Sequence, residues 1–294
     1  MNNFLFKGIF FLFLSTLVWG FPQPLLFNEI KHINFLEVIS HRSVWSFFFL
    51  FFAILALGKI KEFYKIFKNI NLLFWLTITG FLISCNWLGF ILAINFQRLQ
   101  DASLGYYMTP LISIALGYFF LKEDLNFQKT LSLLLMFFSI IILILNYGKM
   151  PFLAIFIGLT WSVYGLIRKK LPVNAEIGLL FESGIISLIA FPYLLLKFVS
   201  GEGVFIYSNS YDSFILIITG LFTILPLFFF NIGVKFLPLG LTGVIFFLVP
   251  TFHFITSILI LNEEITNIKL ITFSIIWIAV IIFVRDKFKE NYRE

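Results

Sequence analysis

The chain has one cysteine, three histidines and only 12% charged residues over 294 positions. Each scarcity removes a class of function. Cys85 alone excludes an intramolecular disulfide and a thiolate metal cluster. His32, His41 and His253 are scattered and no H-E-x-x-H occurs, so no metal site is expected. No G-x-x-x-x-G-K-[ST] occurs either, and the GEG of residues 201–203 is no phosphate loop. A nucleotide-driven pump would need that motif here or on a partner. The simplest expectation is a process driven by a gradient, without a cofactor. A soluble domain of useful size is also missing, because apolar blocks take up most of the chain.

Apolar residues make up 60% of the sequence, 43 of them phenylalanine. They come in long blocks rather than amphipathic stripes, which makes lipid the solvent for most side chains. Ten blocks stand out, at residues 8–27, 36–57, 72–94, 102–121, 128–147, 150–167, 177–199, 214–234, 239–261 and 267–284. Each approaches the ~20 residues that cross a bilayer core. The expected fold is an all-α integral membrane protein with ten transmembrane helices. The phenylalanines read as lipid-facing bulk. After the first block the chain runs GFPQPLL, with no small-residue cleavage site, so that block is read as a retained first helix.

The net charge of +6 does not describe a nucleic-acid surface. With the N-terminus inside, fifteen of the 21 Lys and Arg fall in cytoplasmic segments, notably Lys59, Lys61, Lys65, Lys68, Arg168, Lys169 and Lys170. Five fall outside and Arg42 lies within a span. This bias places both termini in the cytoplasm.

The second half repeats the first. Residues 93–145 align without a gap on 233–285, so Phe96, Leu99, Pro110 and Glu123 fall on Phe236, Leu239, Pro250 and Glu263. The halves are 1–147 and 148–294, five blocks each. A unit with an odd number of spans inserts the second time upside down. Inverted repeats around a midplane site mark secondary transporters. Pro110 and Pro250, at equivalent positions, would bend spans four and nine around a shared cavity; static packing kinks are the other reading.

Ionisable and polar residues inside spans are costly and therefore informative. His41, Arg42 and Trp45 crowd one face of span two. Arg42 lies ~10 Å inside the outer boundary at 1.5 Å per residue. Two readings stand for it: pairing with Glu37 or Asp101, or contact with substrate. Glu182, at the equivalent position in span seven, is an inner-gate candidate or a snorkelling interfacial residue. The depths of Arg42 and Glu182 argue against a direct pair. Trp161 and Tyr164 are candidates for stacking on an organic solute or for interface anchors, while Arg168 is read as ending its helix at the cytoplasm. Asn86, Trp87, Tyr106 and Tyr107 complete the expected substrate cavity, Asn86 with the alternative of bonding a neighbouring helix. His253 and Glu182 are the candidates for proton coupling. Glu123 and the Glu263/Glu264 pair are read as helix ends meeting water or a loop.

The segments HRSVWS, NWLGFILAI, DASLGYYMTPLISIALGYFFLKEDL, WSVYGLIRKK, GLLFES and LPLGLTGVIFFLVPTFHFITSILILNEEI resemble the RarD branch of the EamA-type permeases. These belong to the drug/metabolite transporter superfamily, and the resemblance runs through nearly the whole chain. It implies two inverted five-helix repeats, cytoplasmic termini and a bacterial inner membrane. It also implies a small-molecule solute, export of metabolites or drug-like compounds, and no enzymatic activity. It carries no residue-level mechanism, no coupling ion and no oligomeric state. Uptake of a small solute, a non-transporting protein and an intramembrane enzyme built on Ser103, His41 and Asp101 are the alternatives. No motif links those three residues, and no soluble domain is present for signalling.

Overall fold

Thirteen helices are found in the computed structural model, which describes residues 2–95, 99–148, 152–205, 209–260 and 266–293; no strand occurs among them. They are α1 (Asn2–Gly20), α2 (Pro22–Glu29), α3 (Phe35–Ala56), α4 (Ile60–Phe67), α5 (Ile70–Asn95), α6 (Leu99–Leu121) and α7 (Phe127–Tyr147). The rest are α8 (Phe152–Lys170), α9 (Ala175–Val199), α10 (Ser210–Phe236), α11 (Leu239–Phe246), α12 (Leu248–Leu259) and α13 (Asn267–Arg293).

Their boundaries follow local chemistry. The side chains of Asn34, Asn126 and Asn209 accept from the amides of Leu36, Lys129 and Asp212, opening α3, α7 and α10. Gly148, at φ +72°, closes α7 with its amide on the carbonyl of Ile144. The first expected span breaks at Phe21, where Pro22 opens α2. Span nine breaks at Phe247, with Pro250 in the first turn of α12. By contrast α6 runs unbroken through Pro110. The repeat therefore conserves the proline without the same outcome.

Among the described residues eight helical stretches are long and apolar enough to cross a membrane: Asn3–Glu29, Phe35–Ala56, Ile70–Leu92, Phe127–Asn146, Phe152–Lys170, Ala175–Val199, Ser210–Phe236 and Leu239–Thr256. The two other expected spans fall on α6, whose apolar part is the shorter Gly105–Leu121, and on α13. Phe52, Phe119, Phe127 and Phe152 on the outer faces are more than half exposed, as lipid-facing residues are. The short α4 lies beside α9, joined by Lys59–Glu176 at 2.6 Å and by Asn174 donating to Glu62 at 3.1 Å. The Lys59 ammonium is held above its ordinary pKa by that hydrogen bond to Glu176.

The halves interlock. The main pairings are α6 with α8, α1 with α10, α3 with α9, α7 with α13, α3 with α10 and α6 with α11. Every one of these joins a helix of residues 1–147 to one of 148–294. The pattern survives exchange of the halves: α1 with α10 has its counterpart in α8 with α5, α3 with α10 in α9 with α5, and α6 with α8 in α1 with α11 and α12.

Small residues let these helices approach. A side chain at Gly220 would put its Cβ 2.6 Å from the Cβ of Trp45 and 2.7 Å from the backbone nitrogen of Ser46. At Gly80 the nearest atoms lie at an ordinary 3.5 Å. Gly220→Ala is therefore expected to destabilise by about 1–3 kcal/mol. Gly80→Ala should be near neutral. Thermal unfolding of the two purified variants checks this, and an unchanged midpoint for Gly220→Ala would refute the close α3–α10 packing.

Candidate functional site

The interior polar and aromatic residues form three layers along the bundle. The first surrounds Arg42 on α3, which is 3% exposed. Its Nε donates to Thr223 Oγ1 of α10 at 3.0 Å. Its guanidinium carbon lies 4.4 Å from the centroid of the Trp87 ring and 5.3 Å from that of Phe27. The expected pairing with Glu37 is not made. Glu37 Oε1 instead accepts from the amides of Val204 at 2.6 Å and Phe205 at 3.4 Å, fastening the segment after α9. The Asp101 side chain lies outside the described residues, as do Glu263 and Glu264. Among the described residues no carboxylate comes within ion-pair range of Arg42.

His41 and Trp45 share α3 with Arg42 but turn to Phe205, at ring separations of 4.8 and 5.9 Å. Trp45 also packs on Phe48 and Phe49. The buried Nδ1 of His41 and Nε1 of Trp45 find no hydrogen-bond partner among the described residues.

The middle layer is aromatic. Trp19 meets Trp161 edge to face at 4.9 Å, and Trp161 packs on Phe230 at 4.6 Å and Phe246 at 4.9 Å. Tyr106 packs on Phe246 at 6.0 Å and on His253 at 5.9 Å. His253 Nε2 lies 3.1 Å from the carbonyl of Trp19. Trp161 is 3% exposed and Tyr164 fully buried, so neither is an interface anchor. The cluster is built largely from equivalent positions of the two halves: Tyr106 and Phe246 stand 140 apart, Trp19 and Trp161 142 apart. Against it lies a small space, no larger than a water or so, lined in part by Thr109, Ser113, Ser162 and Thr242. Tyr107 faces elsewhere, onto Phe247 and Phe273 at 5.4 and 5.0 Å. Asn86 donates to the Ile157 carbonyl at 2.9 Å and to Thr160 at 3.1 Å, a tie between α5 and α8.

The third layer contains the largest departure from expectation. Arg168 does not end a helix in water; it is fully buried. Its Nε donates to Asn231 Oδ1 at 2.7 Å and stands 3.6 Å from Glu182 Oε1. Glu182, 1% exposed, is no snorkelling residue. It accepts from Thr79 at 2.6 Å and from the Tyr164 hydroxyl at 3.2 Å. Asn231 closes the network by donating to Tyr164 at 2.8 Å. No polar motif marked Thr79, Thr223 or Asn231 in advance, because a single hydroxyl or amide within an apolar run is common. The pattern they complete is symmetric: each half supplies an ionisable residue from its second block, and the other half supplies a threonine from its third.

Past this layer, at the end that the charge bias assigns to the cytoplasm, side chains tie helix ends across the halves. Glu123 accepts from the amide of Gly240 at 3.0 Å and from that of Leu239, capping α11 rather than meeting water. Lys122 at φ +55° turns the chain back to make this reach. Lys169 donates to the carbonyls of Val234 and Leu237, and Lys235 to that of Val173.

A multi-pass apolar helical bundle with buried arginines and a buried carboxylate at the contact of its two halves marks a membrane protein. The EamA-like transporter family matches it twice, over residues 6–145 and 148–285. An uncharacterized transporter, YojE, of Bacillus subtilis is 33% identical over 288 residues, covering 96% of this chain and 95% of its own length. The protein RarD of Escherichia coli is 29% identical over 280 residues, covering 95% and 94%. A solved crystal structure superposes with a TM-score of 0.71 over 94% of this chain and 96% of that one at 14% identity, a likeness of fold. The chain belongs to the EamA-like transporter family, as a RarD-type member of the drug/metabolite transporter superfamily.

Proposed function

We propose that the protein is a secondary-active exporter that moves small organic metabolites or drug-like compounds by alternating access. It would have ten spans in two inverted five-helix repeats, 1–147 and 148–294. It would sit in a bacterial inner membrane with both termini in the cytoplasm. The observation that carries the reading is the symmetry of the helix pairing under exchange of the halves. With an odd number of spans per half, such symmetry supports two near-equivalent arrangements of one bundle, which alternating access requires. The solute path runs between the halves, past Arg42 and Trp87, through the aromatic layer of Tyr106, Trp161 and Phe246, to Tyr164 and Glu182. The middle layer separates two polar compartments, as a gate does.

Glu182 and His253 are the groups we assign to proton coupling, and Pro110 and Pro250 the points about which spans four and nine bend. Glu123, capping α11 from the turn after α6, would be released when the inner end opens. His41, Trp45, Asn86 and Tyr107 support the path: they pack against the outer segment and neighbouring helices rather than on Arg42.

Two experiments test the proposal. Reporter fusions after Lys65 and Glu294 are expected to read cytoplasmic and one after Asn209 external; a cytoplasmic reading at Asn209 would end the inverted-repeat arrangement. Gradient-driven flux of organic solutes into proteoliposomes is expected, and its absence across a broad metabolite mixture would remove the transport reading.

A further inference from the structure

We infer that Arg42 is the seat for the anionic group of the solute, and that the preferred solutes are organic carboxylates with a flat apolar body. The inference rests on the transporter reading above. Among the described residues two arginines are buried in the bundle, and they are treated differently. Arg168 has Glu182 as counter-charge, Asn231 on its Nε and the carbonyl of Ala175 on a terminal nitrogen at 3.4 Å. Arg42 has neither a carboxylate nor a carbonyl among the described residues; Thr223 holds its Nε and aromatic rings cover it. A buried cation in a membrane interior is costly unless an anion joins it. Rings stacked on a guanidinium offset only part of that cost.

The geometry also selects the anion. With Nε engaged by Thr223, the free edge of the guanidinium carries its two terminal nitrogens. Their parallel N–H bonds match the two oxygens of a carboxylate. The ring surfaces beside the guanidinium are those of Trp87 and Phe27. Their faces offer planar apolar contact to whatever lies against the guanidinium. A multiply charged or sugar-like solute would find too few polar partners, whereas an aromatic or short-chain monocarboxylate would be satisfied.

Three probes on one scaffold decide the matter: phenylacetate, phenylacetamide and phenethylamine, applied to the full chain in detergent at constant chloride. Phenylacetate is expected to raise the thermal midpoint by several degrees, with no response to the amide or the amine. Arg42→Gln should abolish that rise. Should Arg42→Gln fail to fold, Arg42→Lys keeps the charge without the fork, and its phenylacetate response should be at least fivefold weaker. Equal stabilisation by the amide or amine, no response to phenylacetate, or an unchanged response in the variants would overturn the inference. Proteoliposome flux separates it from the transport reading. Phenethylamine flux without phenylacetate flux would overturn the anion assignment and leave a carrier. Carboxylate-specific stabilisation with no flux would support the site and remove the carrier.

Discussion

Glu182→Ala is expected to remove most of the folded protein. The substitution deletes the counter-charge of Arg168 and leaves a fully buried guanidinium among apolar side chains, 0% exposed, with one terminal nitrogen already lacking a partner. It also strands the donor of the Tyr164 hydroxyl, while Thr79 falls back on the carbonyl of Leu76. Breaking a buried pair from one side costs about 3–5 kcal/mol, a large share of the stability of most proteins. Glu182→Gln keeps acceptors for Thr79 and Tyr164 but not the charge, so it should fall between. The double change Arg168→Met with Glu182→Leu removes both charges together and should recover folding, since paired apolar replacement is often neutral. Fluorescence-detected size exclusion of detergent extracts reads all three. A sharp wild-type peak for Glu182→Ala would show that the network does not carry this energy. Folded double variants separate structure from transport: if proton coupling at Glu182 drives flux, they should hold their peak and lose gradient dependence.

The difference between the two arginines also shows which parts of this protein its sequence discloses. Span positions were legible because ~20-residue apolar blocks have one physical use. The internal repeat was legible because equivalent positions keep their apolar pattern and punctuation. Arg42 stood out as the one Lys or Arg read within a span. Arg168 was hidden by its neighbours. Arg168, Lys169 and Lys170 read as a basic helix end, yet the first points inward while Lys169 caps carbonyls of α10. A run of cations reports the membrane boundary, not which member turns into the bundle. The spacing from Trp161 through Tyr164 to Arg168 put all three on one face, and that face proved decisive over the charge run. Glu182 and Thr79, likewise, become a site only once α5 is laid against α9, a contact between residues 103 apart that no local period encodes. The same holds for Glu123, whose partners are backbone amides of the other half and so carry no side-chain signal at all.

Arg42→Ala should behave in the opposite manner to Glu182→Ala: it should fold and fail to transport. The variant removes an uncompensated buried cation, and with it one hydrogen bond to Thr223 and the stacking on Trp87. Losing a hydrogen bond to a charged group costs about 1.5–3 kcal/mol. Losing an exposed-to-buried cation–π contact adds about 0.5–2 kcal/mol. Against these stands relief of the desolvation of a charge with no carboxylate partner, several kcal/mol by itself. The terms nearly cancel, so expression and thermal midpoint should stay near wild type. Flux should drop by at least tenfold, because on the proposed path the solute loses the one buried cation that lacks a counter-ion among the described residues. Arg42→Lys should fold equally well and recover flux only in part, keeping charge but not the planar pair of donors. Thr223→Val, which frees Nε without touching the charge, should raise the concentration for half-maximal flux more than it lowers the maximal rate. Loss of folded protein in Arg42→Ala would instead reveal an acidic partner, and Asp101 is the residue to change next. Normal folding with normal flux would show that the solute passes without using this cation.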